Sequence, residues 1–231
     1  MKRLVLLVEG EGDRLAVPVL VRRLLEEKKA WDCLWLHDKP ILTKGIHAIT
    51  GRREKEWTRL LGVAGYRLAK TGGGVLALID GDAKTIEGKP FCAGETARLL
   101  TERAQSVGAG KTFSLACVFA KQEFESWLAA GIESLAGKPL QPGHRPGVKP
   151  LTKYDITDPE AAPRNAKLWM NERMERGYKP TTDQKPLAEL VDLSEIRSRK
   201  LRSFECLERA IDRLLHAFRT DIHTLSPMPT D

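Results

Sequence analysis

Val8–Asp13 reads VEGEGD and Ile79–Ala83 reads IDGDA, each closing an apolar run, Leu4–Val8 (LVLLV) and Val75–Ile79 (VLALI). Unbroken runs of β-forming residues suit strands buried on both faces, as in a parallel sheet covered by helices. Acid and glycine end both runs. After the first, Leu15, Ala16, Val19, Leu20, Leu24 and Leu25 recur at helical spacing; Asp13 is placed to cap the first turn, and Pro18 falls early in the helix. Working outward, a short strand is expected over Trp31–Leu36, and then a helix carrying Trp57, Leu60, Leu61 and Leu68 that stops at Gly72–Gly74. A helix over Thr96–Val107 and a strand over Phe113–Phe119 follow. Strands alternating with helices predict a doubly wound, mostly parallel α/β sheet.

The remainder reads differently. Residues 134–154, SLAGKPLQPGHRPGVKPLTKY, hold no acid and are rich in Pro and Gly, the composition of a loop or linker. Helical periodicity returns over Asn165–Arg176 and Phe204–Phe218, with a short helical stretch over Leu187–Arg197 between them and a tail expected to fray from Leu225. The organisation is therefore an α/β domain over residues 1–133, a basic Pro/Gly-rich loop over 134–154, and a helical C-terminal extension over 155–231 packed on the first domain. With 231 residues, 42% hydrophobic and 30% charged, the chain can bury a core, and disordered, fibrous and small disulfide classes are excluded.

The net charge of +7 is spread along the chain and is compatible with a polyanionic partner. Cys33, Cys92, Cys117 and Cys206 show no CxxC spacing, and the apolar run at the start is too short for a signal or membrane segment. A reducing, cytoplasmic setting and no membrane association are expected. His37, His47, His144, His216 and His223 show no zinc spacing. GEGDRL lacks the third glycine of a dinucleotide fingerprint, and Glu9 would face the pyrophosphate. Oligomeric state is left open.

The chemistry lies in the acids. In open α/β sheets, ligands collect outside the carboxyl ends of the strands. Glu9 closes the first strand, Asp80 and Asp82 the one before IDGDA ends, and Glu123 and Glu125 follow the last. Carboxylates crowded together repel, and a hard cation such as Mg²⁺ or Mn²⁺ relieves the repulsion while keeping open water positions. Such an ion activates water and neutralises phosphoryl oxygens, which is phosphodiester chemistry. Lys138, Arg145, Lys149 and Lys153 of the acid-free loop are candidate phosphate contacts. The basic runs Arg52, Arg53, Lys55, Arg59 and Arg197, Arg199, Lys200, Arg202 read as solvated helical faces.

VEGEGD and IDGDA resemble the two motifs of the Toprim fold. AKQEFESWLAA, DPEAAPRNAK and YKPTTDQKPLAELVDLSEIRSRKLRSFECL further resemble the domain-of-unknown-function 4276 family, a Toprim-type group similar to OLD nucleases. This resemblance implies that Glu9 is the Toprim glutamate, metal ligand or general acid/base, and that Asp80 and Asp82 are the metal-binding pair. It implies a second metal position at Glu123 and Glu125, beside Gln122 where many members have His, and a catalytic lysine, for which Lys185 is the candidate. It also implies action on DNA, less so RNA, with a separate ATPase partner in phage defence, since the chain has no GxxxxGK[ST] stretch. Two other functions stay open: a non-catalytic adaptor for nucleic acid or an ATPase, and phosphoryl transfer on a small nucleotide. The hydrolytic expectation requires Glu9 to stand beside Asp80 and Asp82 and fails if a lysine or arginine fills the corner they form.

Overall fold

The alternation of period 2 in the first strand sorts its side chains onto two cores. In a computed structural model that describes residues 1–51, 55–140, 147–158, 160–161 and 164–228, β1 (Lys2–Val8) sends Leu4, Leu6 and Val8 to one face and Val5 and Leu7 to the other. α1 (Glu11–Glu27) packs on the first face. The chain continues through β2 (Leu34–Leu36), β3 (Ile41–Leu42), α2 (Ile46–Thr50) and α3 (Lys55–Leu68) to β4 (Gly73–Asp80). A small antiparallel hairpin, β5 (Thr85–Ile86) and β6 (Lys89–Pro90), precedes α4 (Ala93–Ala104) and β7 (Ser114–Ala120). The remaining elements are α5 (Phe124–Ala130), α6 (Ala166–Arg173), α7 (Pro180–Leu190), α8 (Leu193–Ser198), α9 (Arg202–Thr220) and β8 (Leu225–Ser226).

The main sheet runs β2-β1-β4-β7-β8, with β3 pairing to β1 beyond the end of β2, and every one of these pairings is parallel. Helices cover both faces, α1, α5, α7 and α9 on one side and α3 and α4 on the other, so the sheet is doubly wound as the strand–helix alternation predicts. The register is what matters for function. Val8 lies opposite Leu78, and Asp80 lies opposite Ala120. The residues that follow β1, β4 and β7 therefore emerge at one level of the same edge.

Several boundaries differ from expectation. Ala30–Asp32 forms a turn of 3₁₀ helix, so only Leu34–Leu36 of the expected Trp31–Leu36 strand is extended. The stretch read as one helix over Leu187–Arg197 is two, broken at Val191, because Asp192 caps α8 by accepting the Ser194 N–H at 2.8 Å. Leu225 does not begin a frayed tail. Leu225–Ser226 adds to the sheet beside β7, and Thr101 holds the Pro227 carbonyl at 3.1 Å. A two-residue parallel strand leaves no periodic signal, so sequence patterning misses it. The segment 134–154 is tied to the C-terminal helices: Val148 is fully buried and bridges both Ala136 and Met174. α7 presses on α1 at Gly12, where a Cβ would stand 2.2 Å from Gln184 Oε1. The C-terminal helices thus share one core with β1, β4 and β7.

Candidate active site at the carboxyl end of the sheet

The common level of the strand ends brings acids from four places together. Glu9, just past β1, accepts the Asp80 backbone N–H through Oε2 at 3.1 Å. Asp80, the last residue of β4, accepts the Phe124 N–H at the start of α5 through Oδ1 at 2.9 Å. Glu123 caps α5 and Glu125 sits in its first turn, 1% exposed, with Oε1 accepting the Tyr178 hydroxyl at 2.9 Å. Asp13 enters from the third position of α1, where its Oδ2 accepts the Gly10 N–H at 2.9 Å and its Oδ1 the Gln184 side-chain N–H at 2.9 Å. It is therefore both part of the helix cap and part of the acidic corner. Asp82 lies on the exposed side.

Lys167 of α6 completes the arrangement. Its Nζ stands 2.6 Å from Glu123 Oε1, 3.6 Å from Glu125 Oε2 and 3.7 Å from Asp80 Oδ2. One ammonium thus serves three carboxylates, while among the described residues Glu9, Asp13 and Asp82 have no ion pair, and Glu125 Oε2 is buried without a hydrogen bond.

The electrostatic consequence follows from burial. Desolvation lifts Glu9 to about 7, against the pull of the Asp80 N–H and with help from the negative charge of Asp82. Burial likewise lifts Glu125 to about 7, although Lys167 opposes it. Burial, with Asp13 and Glu125 adding repulsion, holds Asp80 well above the usual carboxylate range, and burial also raises Asp13. For Lys167, burial works against the charge, but Glu125, Asp80 and Glu123 outweigh it and keep the ammonium firmly protonated.

A hard divalent ion fits this corner in donor type, all oxygen, and in charge, since the acids outnumber the Lys167 ammonium among the described residues and the buried Glu125 Oε2 accepts no hydrogen bond. It does not find a finished cage. Among the described residues no three His, Cys, Asp or Glu side chains are grouped to grip one ion, and the Lys167 ammonium stands where three of the carboxylates converge. Of the two sequence conditions, Glu9 does stand beside Asp80, whose N–H it accepts, but the corner is not free of lysine, because Lys167 stands against Asp80, Glu123 and Glu125.

Comparison with known proteins places the chain. Residues 8–212 match the model of a domain of unknown function, DUF4276. The chain belongs to the DUF4276 family. A search of curated proteins finds no match to this DUF4276 chain. Among solved structures it is similar to the C-terminal region of the Burkholderia pseudomallei OLD protein, with 15% identity, 96% of this chain and 99% of that chain covered, and a TM-score of 0.46. The sheet is doubly wound and mostly parallel, with helices of the C-terminal third packed on it, the α/β architecture expected from the strand–helix alternation.

Of the residues singled out from sequence, Glu9, Asp80, Glu123 and Glu125 meet in the corner and Asp82 stands at its rim. Lys185 does not join them: its Nζ lies on the exposed face of α7, 3.6 Å from Glu189. The lysine in the corner is Lys167, and the signal for it was present in DPEAAPRNAK, whose last residue it is. In the basic loop, Lys138 and Lys153 are exposed and Lys149 donates to the Glu172 carbonyl at 2.7 Å, while Arg145 lies outside the described residues, as do Arg52 and Arg53. Arg197 is paired with Glu27 and Glu208, and Arg199 with Glu133, so half of that four-residue basic run is neutralised. No helix among the described residues is long and apolar enough to cross a membrane.

Proposed function

We propose that this DUF4276 protein is a Mg²⁺- or Mn²⁺-dependent phosphodiesterase acting on nucleic acid, DNA before RNA. The observation that carries the reading is the convergence of Glu9, Asp13, Asp80, Glu123 and Glu125 at one sheet edge around a single lysine. Glu9, Asp80 and Asp82 are the residues that would hold the ion, and Glu123 and Glu125 would hold a second only with the Lys167 ammonium turned away from them. Bound there, a divalent ion supplies an activated water and neutralises charge on the phosphoryl oxygens.

The chain's own groups do the rest. The Asp80 N–H orients Glu9, the Phe124 N–H orients Asp80, and Tyr178 fixes Glu125, so the carboxylates are held before any ligand arrives. Lys167, with 40% of its side chain exposed, can turn its ammonium toward a phosphate that enters the corner. A separate ATPase partner and a role in phage defence, implied by the family resemblance, belong to the same proposal.

Purified protein incubated with supercoiled plasmid, linear DNA and RNA, with Mg²⁺ or Mn²⁺ and with EDTA, tests it. Metal-dependent cleavage that falls by orders of magnitude in Glu9→Gln and Asp80→Asn is expected. The presence of Lys167 where the carboxylates converge favours a second reading, a non-catalytic adaptor for nucleic acid or an ATPase. No cleavage under any condition, with both variants binding like wild type, selects the adaptor.

A further inference from the structure

A cleft of about 630 Å³ lies between α4 and α9, floored by β7 and β8 and bordered by Lys121 and Phe91. Its charge is one-sided. Arg98, Lys121, Arg202 and Arg213 line it, all exposed, and none has a carboxylate partner among the described residues. Arg209 sits 3.7 Å from Glu205, a pair with both side chains half exposed. Against these five cations stand two acids, Glu95 and Glu160, and the Glu160 carboxylate is already engaged by the Ser203 N–H.

The placement is ordered. Arg202, Arg209 and Arg213 fall at i, i+7 and i+11 on α9, one stripe about 16 Å long at the helical rise. That is more than one phosphate can span, and it suits a run of phosphates. The floor is apolar, and the half-buried ring of Phe91, edge-on to Phe119, is open to a flat partner. A duplex hides its base faces, whereas a single strand can turn a base onto an aromatic ring while its phosphates meet arginines. The cleft also opens at the catalytic edge: Lys121 is two residues before Glu123, and the Phe91 ring closes on Gly81, between Asp80 and Asp82.

We propose that the α4–α9 cleft, rather than the basic loop over 134–154, is the track that holds a single nucleic-acid strand and leads it to the acidic corner. The step from binding to cleavage rests on the phosphodiesterase reading; the binding itself does not.

The test is fluorescence anisotropy of a labelled single-stranded oligonucleotide with the full chain in EDTA, over a range of salt. In the variant carrying Arg202→Gln, Arg209→Gln and Arg213→Gln, affinity at low salt should fall at least about tenfold and the slope of log K against log salt should shrink by about 2, three phosphate contacts at roughly 0.7 each. Phe91→Ala should weaken binding by about fivefold or more with the slope unchanged, since it removes stacking and no charge. Lys138→Gln with Lys149→Gln should bind like wild type. A triple variant that keeps its circular dichroism melt and binds normally overturns the proposal. So does a loop variant that loses binding, or a mononucleotide that competes as well as the oligonucleotide. Cleft-dependent binding without cleavage leaves the track standing and sinks the phosphodiesterase, while cleavage untouched by the triple variant does the reverse.

Discussion

Replacing Glu125 by Gln should make the metal-free protein more stable at alkaline pH and change little in acid. Glu125 is 1% exposed, its Oε2 has no hydrogen bond, and its carboxyl is lifted from 4.5 to about 7 by burial, against the pull of Lys167. A carboxyl raised on folding contributes stability that is complete below its unfolded value and is lost as pH climbs through the folded one. A rise of about 2.5 units at 1.36 kcal/mol each corresponds to about 3 kcal/mol, of which about 2 falls between about pH 5 and about pH 8. Gln cannot ionise, still accepts the Tyr178 hydroxyl, and relieves Asp80 of one repulsive neighbour, so the drop should vanish in the variant. Urea unfolding in EDTA at the two pH values, followed by tryptophan fluorescence, gives the number. A difference between variant and wild type that changes by less than about 1 kcal/mol across that range, or grows in the acid direction, refutes the burial argument.

Three other outcomes are expected. Lys167→Met leaves Asp80, Glu123 and Glu125 without their cation and should destabilise the metal-free protein near pH 8 by up to about 3 kcal/mol, less than a fully buried pair because Lys167 is 40% exposed; calorimetry checks it, and added Mn²⁺ should recover part of the loss. Lys185→Ala removes only an exposed i,i+4 pair, so unfolding free energy should move by less than about 1 kcal/mol and plasmid cleavage should be unchanged; a loss of cleavage would restore Lys185 to the site. Because Glu9, Asp80 and Glu125 all hold protons more tightly in the fold, a cation must displace them, and the Mn²⁺-induced rise in melting temperature should be larger at about pH 8 than at about pH 6. An equal rise at both would mean the ion binds elsewhere.

The acidic edge was legible because strand ends in a parallel sheet share a level, so acids that each follow an apolar run are brought together by register alone. Asp80 opposite Ala120 is all that Glu123 needs in order to arrive. Lys167 was not legible in the same way: it lies 44 residues beyond Glu123, and only the packing of α6 on α5 returns it. Lys185 misled for a local reason. Its neighbour Gln184 takes the buried position against Asp13, and one step along a helix turns a side chain through about 100°, which sends Lys185 outward. Asp13 read as a cap and is one in part, but the same carboxylate also charges the corner, a double duty that sequence spacing does not distinguish.

The closing strand carries a practical lesson. Leu225 and Ser226 cover one flank of β7, a strand whose seven residues are all buried. Trimming the polypeptide ahead of Leu225 would bare a row of amide and carbonyl groups on an oily ribbon, the kind of surface that recruits a neighbour's strand. Shortened versions made for crystallisation would then be expected to self-associate, and extensions are better placed after Pro227.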